Sequence, residues 1–346
     1  MVLPLSIPSP NDYWQMFNLG QFFRDTFWKS FGLNIDLRAS TACIVVGIVI
    51  GIIVTSRRLT KRGAEPGIMV EVTIGAIIGS FVFGRIVHVL TQPGFYFGAG
   101  RNPLTALYVW EGGLSLFGVL LGGVLGAAVA CRIVGLRLES VLDAAVPGLL
   151  FAQASERLGD WFERQYYGTP TSAPWGLQIP SSDASFPVGL PSSTVFQPTF
   201  AYELIWDLVG IAVLLFAASK LDLQWGKLFG LYLVWYGLGR SWFESLRIDP
   251  SLHFLGIRTN VWLAFLAVII GLVVIVRQSR RHTGHEPSVY RQGRGWEAPA
   301  EVHSEDTYSD TDDLAVSNDG PVTVTDTTNT ESVKATRSVT SGAGKK

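Results

Sequence analysis

The chain has 346 residues, of which 48% are hydrophobic and only 16% charged, against roughly 25% charged for a typical soluble domain. Its mean hydropathy is +0.31 and its formal net charge is -1. Ten acidic residues fall between Gly295 and Val333 with no Lys or Arg among them, so residues 1–296 carry a balance of +5. That mildly basic body suits anionic lipid and excludes a nucleic-acid patch. Length alone would allow two soluble domains, but this composition argues for a membrane protein.

In chain order, the start MVLPLSIPSPNDYW has no basic leader region and carries three prolines, so no cleavable signal peptide is expected. Residues 11–33 follow, rich in aromatics (Tyr13, Trp14, Phe17, Phe22, Phe23, Phe27, Trp28, Phe31) but too polar to span. They are expected to lie in the interface as a helix. Seven apolar segments come next, at 39–55, 69–90, 112–131, 141–159, 200–219, 228–246 and 261–276. A bilayer core requires about 20 such residues per helix. Basic clusters close the first, third, fifth and seventh segments: Arg57, Arg58, Lys61 and Arg62; Arg132 and Arg137; Lys220 and Lys227; Arg277, Arg280 and Arg281. That alternation places the N-terminus outside and the C-terminus in the cytoplasm.

The fold class read from this pattern is all-α, a polytopic membrane protein of about seven transmembrane helices. Residues 1–38 form an outer-face interfacial arm and 39–281 the seven-helix domain. Residues 282–346, rich in Ser, Thr, Asp and Glu, form a disordered acidic cytoplasmic tail. Long outer connections run over 91–111 and 160–199, and connections of that length are often functional. Cys43 and Cys131 lie inside apolar runs without a CxxC or Cys/His pattern and read as small packing residues. The many glycines of the spans allow close helix approach.

Ionisable side chains inside such segments cost several kcal/mol unless paired or hydrated, and so mark candidate sites. Segment two holds Glu71, Arg85 and His88. Segment four ends in Glu156, Arg157, Asp160, Glu163 and Arg164. Segment five begins with Tyr202, Glu203 and Asp207, and segment six ends with Tyr236, Arg240, Glu244, Arg247 and Asp249. All but Glu71 gather at the outer ends. Arg240 and Glu244 share a helix face at i, i+4. Guanidinium groups stay charged and bind phosphate bidentately, and the phosphate of a membrane is a lipid headgroup. The bland alternative is a set of ion pairs that only join helix ends. No metal or cofactor pattern occurs, and no P-loop or GxSxG.

Seven motifs then stand in order: SIPSP at 6–10, FGRIVHVL at 83–90, WEGGLSLFG at 110–118, ERLGDWFERQYYG at 156–168, PWGLQI at 174–179, FQPTFAYELIWD at 196–207 and GRSWFESLRIDP at 239–250. With the seven-helix layout they resemble prolipoprotein diacylglyceryl transferase, in its actinobacterial form, over roughly residues 5–277. The resemblance implies an enzyme of the bacterial plasma membrane. It would move the diacylglyceryl group of phosphatidylglycerol onto the thiol of a prolipoprotein's lipobox cysteine, leaving a thioether and releasing glycerol 1-phosphate. It also implies that Arg157 binds phosphatidylglycerol and that Arg240 is a second essential arginine. The expected catalytic residues are therefore Arg157 and Arg240. The expected lipid-binding residues are Arg157, Arg85, Asp160, Tyr202, Glu203 and Glu244.

The sequence departs from the family pattern at Glu156, where a Gly is usual, at Asp160, where an Asn is usual, at Ser40 for a Tyr, and at Phe117 for a His. Asp160 and Glu203 are both candidates for the base that ionises the thiol, and Glu203 and Glu244 read equally as partners of the arginines. A catalytically inactive paralogue that binds phospholipid or a partner, and a transporter, are the alternative functions.

Overall fold

A computed structural model describes residues 6–18, 36–98, 100–108, 112–183, 185–249, 251 and 253–296. Among them are seven long helices: α1 (Ala39–Lys61), α2 (Ile68–Thr91), α3 (Leu116–Val134), α4 (Leu138–Glu163), α5 (Thr199–Lys220), α6 (Lys227–Leu246) and α7 (Thr259–Arg281). Each coincides with one of the seven apolar segments. The third starts later than expected, because Gly112 and Gly113 hold φ of +85° and +77° and are not helical.

Five of the seven, α1, α2, α3, α5 and α7, are long and apolar enough to cross a membrane. The other two, α4 and α6, are diluted by the charges they carry. Large apolar side chains such as Ile78, Leu120 and Ile269 face outward, as expected where the solvent is lipid rather than water.

The helices pack as α2 on α3, α1 on α4, α6 on α7 and α4 on α5. Small residues let these pairs approach closely. A Cβ on Gly75 would lie 2.6 Å from the Ala130 Cβ, and one on Gly148 would lie 2.6 Å from the Gly51 carbonyl oxygen. At the basic end of the bundle, Leu59, Ile68, Val72, Cys131, Leu136 and Val141 form a buried cluster. Midway, Val146, Leu150, Leu214, Leu228 and Tyr232 form a second.

The fold is helical, and among the described residues it also carries three two-stranded antiparallel pairs, β1 (Met16–Asn18) with β2 (Asp36–Arg38), β3 (Leu177–Gln178) with β4 (Val195–Phe196), and β5 (His253–Phe254) with β6 (Ile257–Arg258). Two expectations are corrected. The interfacial helix expected over 11–33 is replaced, where described, by a 3-10 turn at Asp12–Trp14 and by β1; residues 19–35 lie outside the described residues. The β1–β2 pair has a use there, since the Ala39 N–H that opens α1 donates to the Gln15 carbonyl at 2.9 Å and no longer lacks a partner.

The tail does not begin at residue 282. Val289 and Tyr290 are buried in the basic-end cluster. The Arg137 N–H donates to the Val289 carbonyl, and the Arg291 N–H to the Gly135 carbonyl. Two apolar residues in a polar stretch anchor it, a detail that composition averaged over 65 residues conceals. Residues 297–346 lie outside the described residues.

The long connection between α4 and α5 builds a small core of its own from Tyr167, Leu177, Ile179, Phe196 and Phe200, with Ile7 against it. Ile7 bridges to Leu177 in parallel, so the N-terminal segment is tied to this connection. Both ends of the connection carry candidate site residues.

Candidate active site

The site is assembled by α4, α5 and α6. Arg157 stands near the end of α4 with its side chain 14% exposed. Its Nη1 lies 2.6 Å from the Asp160 carboxylate, one turn on, and its Nε lies 3.2 Å from Glu203 Oε2 on α5. Glu156 reaches Nη2 at 3.6 Å. Arg240 stands near the end of α6, with Nη1 also 3.2 Å from Glu203 Oε2. One carboxylate oxygen therefore sits between two guanidinium groups from different helices.

Arg240 Nη2 forms a second ion pair, at 2.9 Å, with Glu244. Glu244 is fully buried and is held by further donors. The Asn260 amide donates to its Oε1 at 3.0 Å, Arg258 Nε lies 3.5 Å away, and Arg258 Nη1 donates to its carbonyl at 3.0 Å. Buried charges are tolerable when each is paired and hydrogen-bonded, and this chain of contacts supplies that.

A narrow cavity of about 20 Å³ opens between the arginines and is lined by Gln153, Glu203, Asp207 and Tyr236, with Trp206 and Phe243 as its aromatic wall. Trp206 stacks on Trp235 at 4.2 Å between centroids, which fixes the wall. The outer connection is fastened beside it. Arg164, the C-cap of α4, pairs with Asp183 at 2.8 Å and donates to the Pro10 carbonyl. Burial alone would raise the Asp183 carboxyl. The Arg164 guanidinium and the Ser185 N–H and hydroxyl outweigh it and hold Asp183 below its ordinary value of 3.8.

The family model for prolipoprotein diacylglyceryl transferase matches residues 29–277. The chain belongs to the prolipoprotein diacylglyceryl transferase family. A protein of Leifsonia xyli subsp. xyli named phosphatidylglycerol–prolipoprotein diacylglyceryl transferase is 44% identical over 310 residues, covering 87% of this chain and 90% of its own length. One of Cutibacterium acnes with the same name is 41% identical over 289 residues, covering 83% and 92%. One of Streptomyces coelicolor, named as transferase 2, is 40% identical over 261 residues, covering 75% and 82%. As a member of this family the chain is a transferase and a multi-pass membrane protein.

Within this diacylglyceryl transferase family member, five of the expected site residues come together: Arg157, Asp160, Glu203, Arg240 and Glu244. Two do not. Arg85 is buried and spends its donors on the carbonyls of Thr105, Ala106, Gly112 and Gly113, at 2.5 to 3.0 Å. It also lies over the Tyr96 ring, 4.9 Å from its centroid. It clamps the connection between α2 and α3 and makes no contact with the Arg157 cluster. Tyr202 faces the outer connection, where its hydroxyl accepts from Trp175 Nε1 at 2.9 Å.

Sequence reasoning missed Gln153, Trp206, Arg258 and Asn260 and did not rank Asp207 and Tyr236 as site residues. Helical spacing would have found two of them, since Gln153 is one turn before Arg157 and Asp207 one turn after Glu203. Arg258 and Asn260 flank the start of α7, where no local pattern ties them to Glu244.

Proposed function

We propose that the chain transfers the diacylglyceryl group of phosphatidylglycerol to the lipobox cysteine thiol of prolipoproteins, forming a thioether and releasing glycerol 1-phosphate. The observation that carries the reading is the convergence of Arg157 and Arg240 on one carboxylate oxygen of Glu203. A point where two guanidiniums already share an anion suits a second anion, the lipid phosphate. Asp160 and Glu244 stay behind as orienting partners, one for each arginine.

The leaving group gains negative charge as its carbon–oxygen bond breaks. Two fixed cations at that oxygen, away from water, stabilise the transition state more than the ground state. The cavity holds about one water, so side chains that line it shift to admit the headgroup while Glu203 keeps its arginine partners.

The seven helices all span the plasma membrane. Residues 1–38 lie at the outer face and the C-terminus lies in the cytoplasm. Basic residues at alternate helix ends support that orientation. The polar cluster then stands at the outer leaflet, where the lipobox cysteine of an exported precursor arrives.

Complementation tests the reading. A strain depleted of its own diacylglyceryl transferase should be rescued by this chain and not by its Arg157→Ala or Arg240→Ala variants. Each variant should lose about 10²–10³-fold or more in turnover. Rescue by either variant at wild-type level would contradict the phosphate role. One other reading has an observation behind it: Arg157 is met by three carboxylates, Glu156, Asp160 and Glu203, which compete with a phosphate. A paralogue that binds lipid without turnover would express and insert yet rescue nothing.

A further inference from the structure

Five carboxylates surround the two arginines. Four of them, Glu156, Asp160, Glu203 and Glu244, are paired with a guanidinium. The fifth, Asp207, is 8% exposed, lines the cavity, and carries no hydrogen bond or ion pair among the described residues. It stands one turn from Glu203 on the same face of α5, about 6 Å along the helix axis. Glu156 and Arg157 of α4 act on it, with Glu203 of its own helix and Tyr232 of α6. Tyr236 and Arg240 of α6 complete the lining. In the same cavity Gln153 Oε1 is buried and without a hydrogen-bond donor. Two unsatisfied acceptors thus share one small space.

Buried polar groups without partners are uncommon and need an explanation. Acceptors without donors call for a ligand that brings a proton. Of the two substrates proposed above, the lipid brings an acceptor phosphate and glycerol hydroxyls, and the cysteine brings a thiol, the one donor whose proton the reaction has to remove.

We propose that Asp207 is the catalytic base for the acceptor cysteine, an assignment that rests on the transferase reading. The Asp207 carboxylate removes the thiol proton and becomes a carboxylic acid. The sulfur electron pair forms the new bond to the glyceryl carbon. The bond from that carbon to the phosphate oxygen breaks, and its electron pair leaves with glycerol 1-phosphate, held by Arg157 and Arg240. At neutral pH a free cysteine is only a few per cent thiolate, so a positioned base gains about 10²–10⁴-fold. The division of labour is physical: carboxylates already neutralised by arginine are poor proton acceptors, and Asp207 is the one without such a partner.

The test compares two lipobox peptides on the full chain in phosphatidylglycerol vesicles, one with cysteine and one with selenocysteine, whose selenol is already ionised at neutral pH. Asp207→Asn should lower turnover of the cysteine peptide by about 10²–10⁴-fold and that of the selenocysteine peptide by less than about tenfold, with KM for phosphatidylglycerol unchanged. Where the Asn variant does not fold, Asp207→Glu gives the same readout, because a displaced carboxylate slows the thiol and not the selenolate. Wild-type rates with cysteine, or equal losses with both peptides in a folded variant, would overturn the assignment. A wild-type chain inactive on both peptides would instead sink the transferase reading itself.

Discussion

Glu203 Oε2 lies 3.2 Å from a nitrogen of each of two arginines, and a carboxylate in that position joins three helices. The spacing along α4 and α6 made half of this legible. Arg157 with Asp160 and Arg240 with Glu244 are local pairs, one turn apart, and any helical reading finds them. Their meeting through Glu203 depends on how α4, α5 and α6 cross, which no local pattern encodes. Arg85 marks the limit of the same reasoning. A cation in an apolar segment gives one signal whether it meets a phosphate or, as Arg85 does, the carbonyls of a neighbouring connection.

Residue-scale electrostatics also gives a pH dependence. Asp183 titrates below its ordinary 3.8 in the folded chain, so its pairing with Arg164 contributes stability that is complete above that value and lost as pH falls through the lowered one. Protection of amides in residues 164–185 against hydrogen exchange, taken relative to the intrinsic rate at each pH, should therefore fall in acid. In Asp183→Asn it should be low already at pH 6 and change less with acid. An identical acid response in both chains would contradict the pairing.

At the scale of elements, apolar runs of about 20 residues identified all seven long helices. They did not identify partners, because in lipid the faces turned outward and the faces turned inward are both apolar. The segment after α7 was misjudged for a different reason. Its polarity is that of an unfolded chain, but Val289 and Tyr290 insert among Leu59, Ile68 and Leu136, and Glu286 pairs with Arg137 at 3.5 Å and accepts from Ser140 at 2.6 Å. Burying two such side chains contributes about 1.5–3 kcal/mol each. A chain ending after Arg281 should melt measurably below the full chain in detergent. One ending after Trp296 should melt with it, because it keeps the anchoring residues Val289 and Tyr290. Equal melting of the two truncations would show that the 282–296 segment contributes nothing.

For the whole molecule, the proposed orientation in the membrane is directly testable. With Cys43 and Cys131 replaced by Ala, a single cysteine at Ser181 should react with an impermeant maleimide applied outside intact cells. A single cysteine at Ser279 should react only after lysis. The reverse pattern would invert the proposed orientation and separate the Arg157 cluster from exported precursors. The chemistry has an equally direct test. The purified chain in vesicles of phosphatidylglycerol, given a lipobox peptide, should add the mass of one diacylglyceryl group to the cysteine and release glycerol 1-phosphate in equal amount, and vesicles of phosphatidylethanolamine should give neither. A peptide that keeps its mass while the folded chain sits in phosphatidylglycerol would contradict the account at its centre.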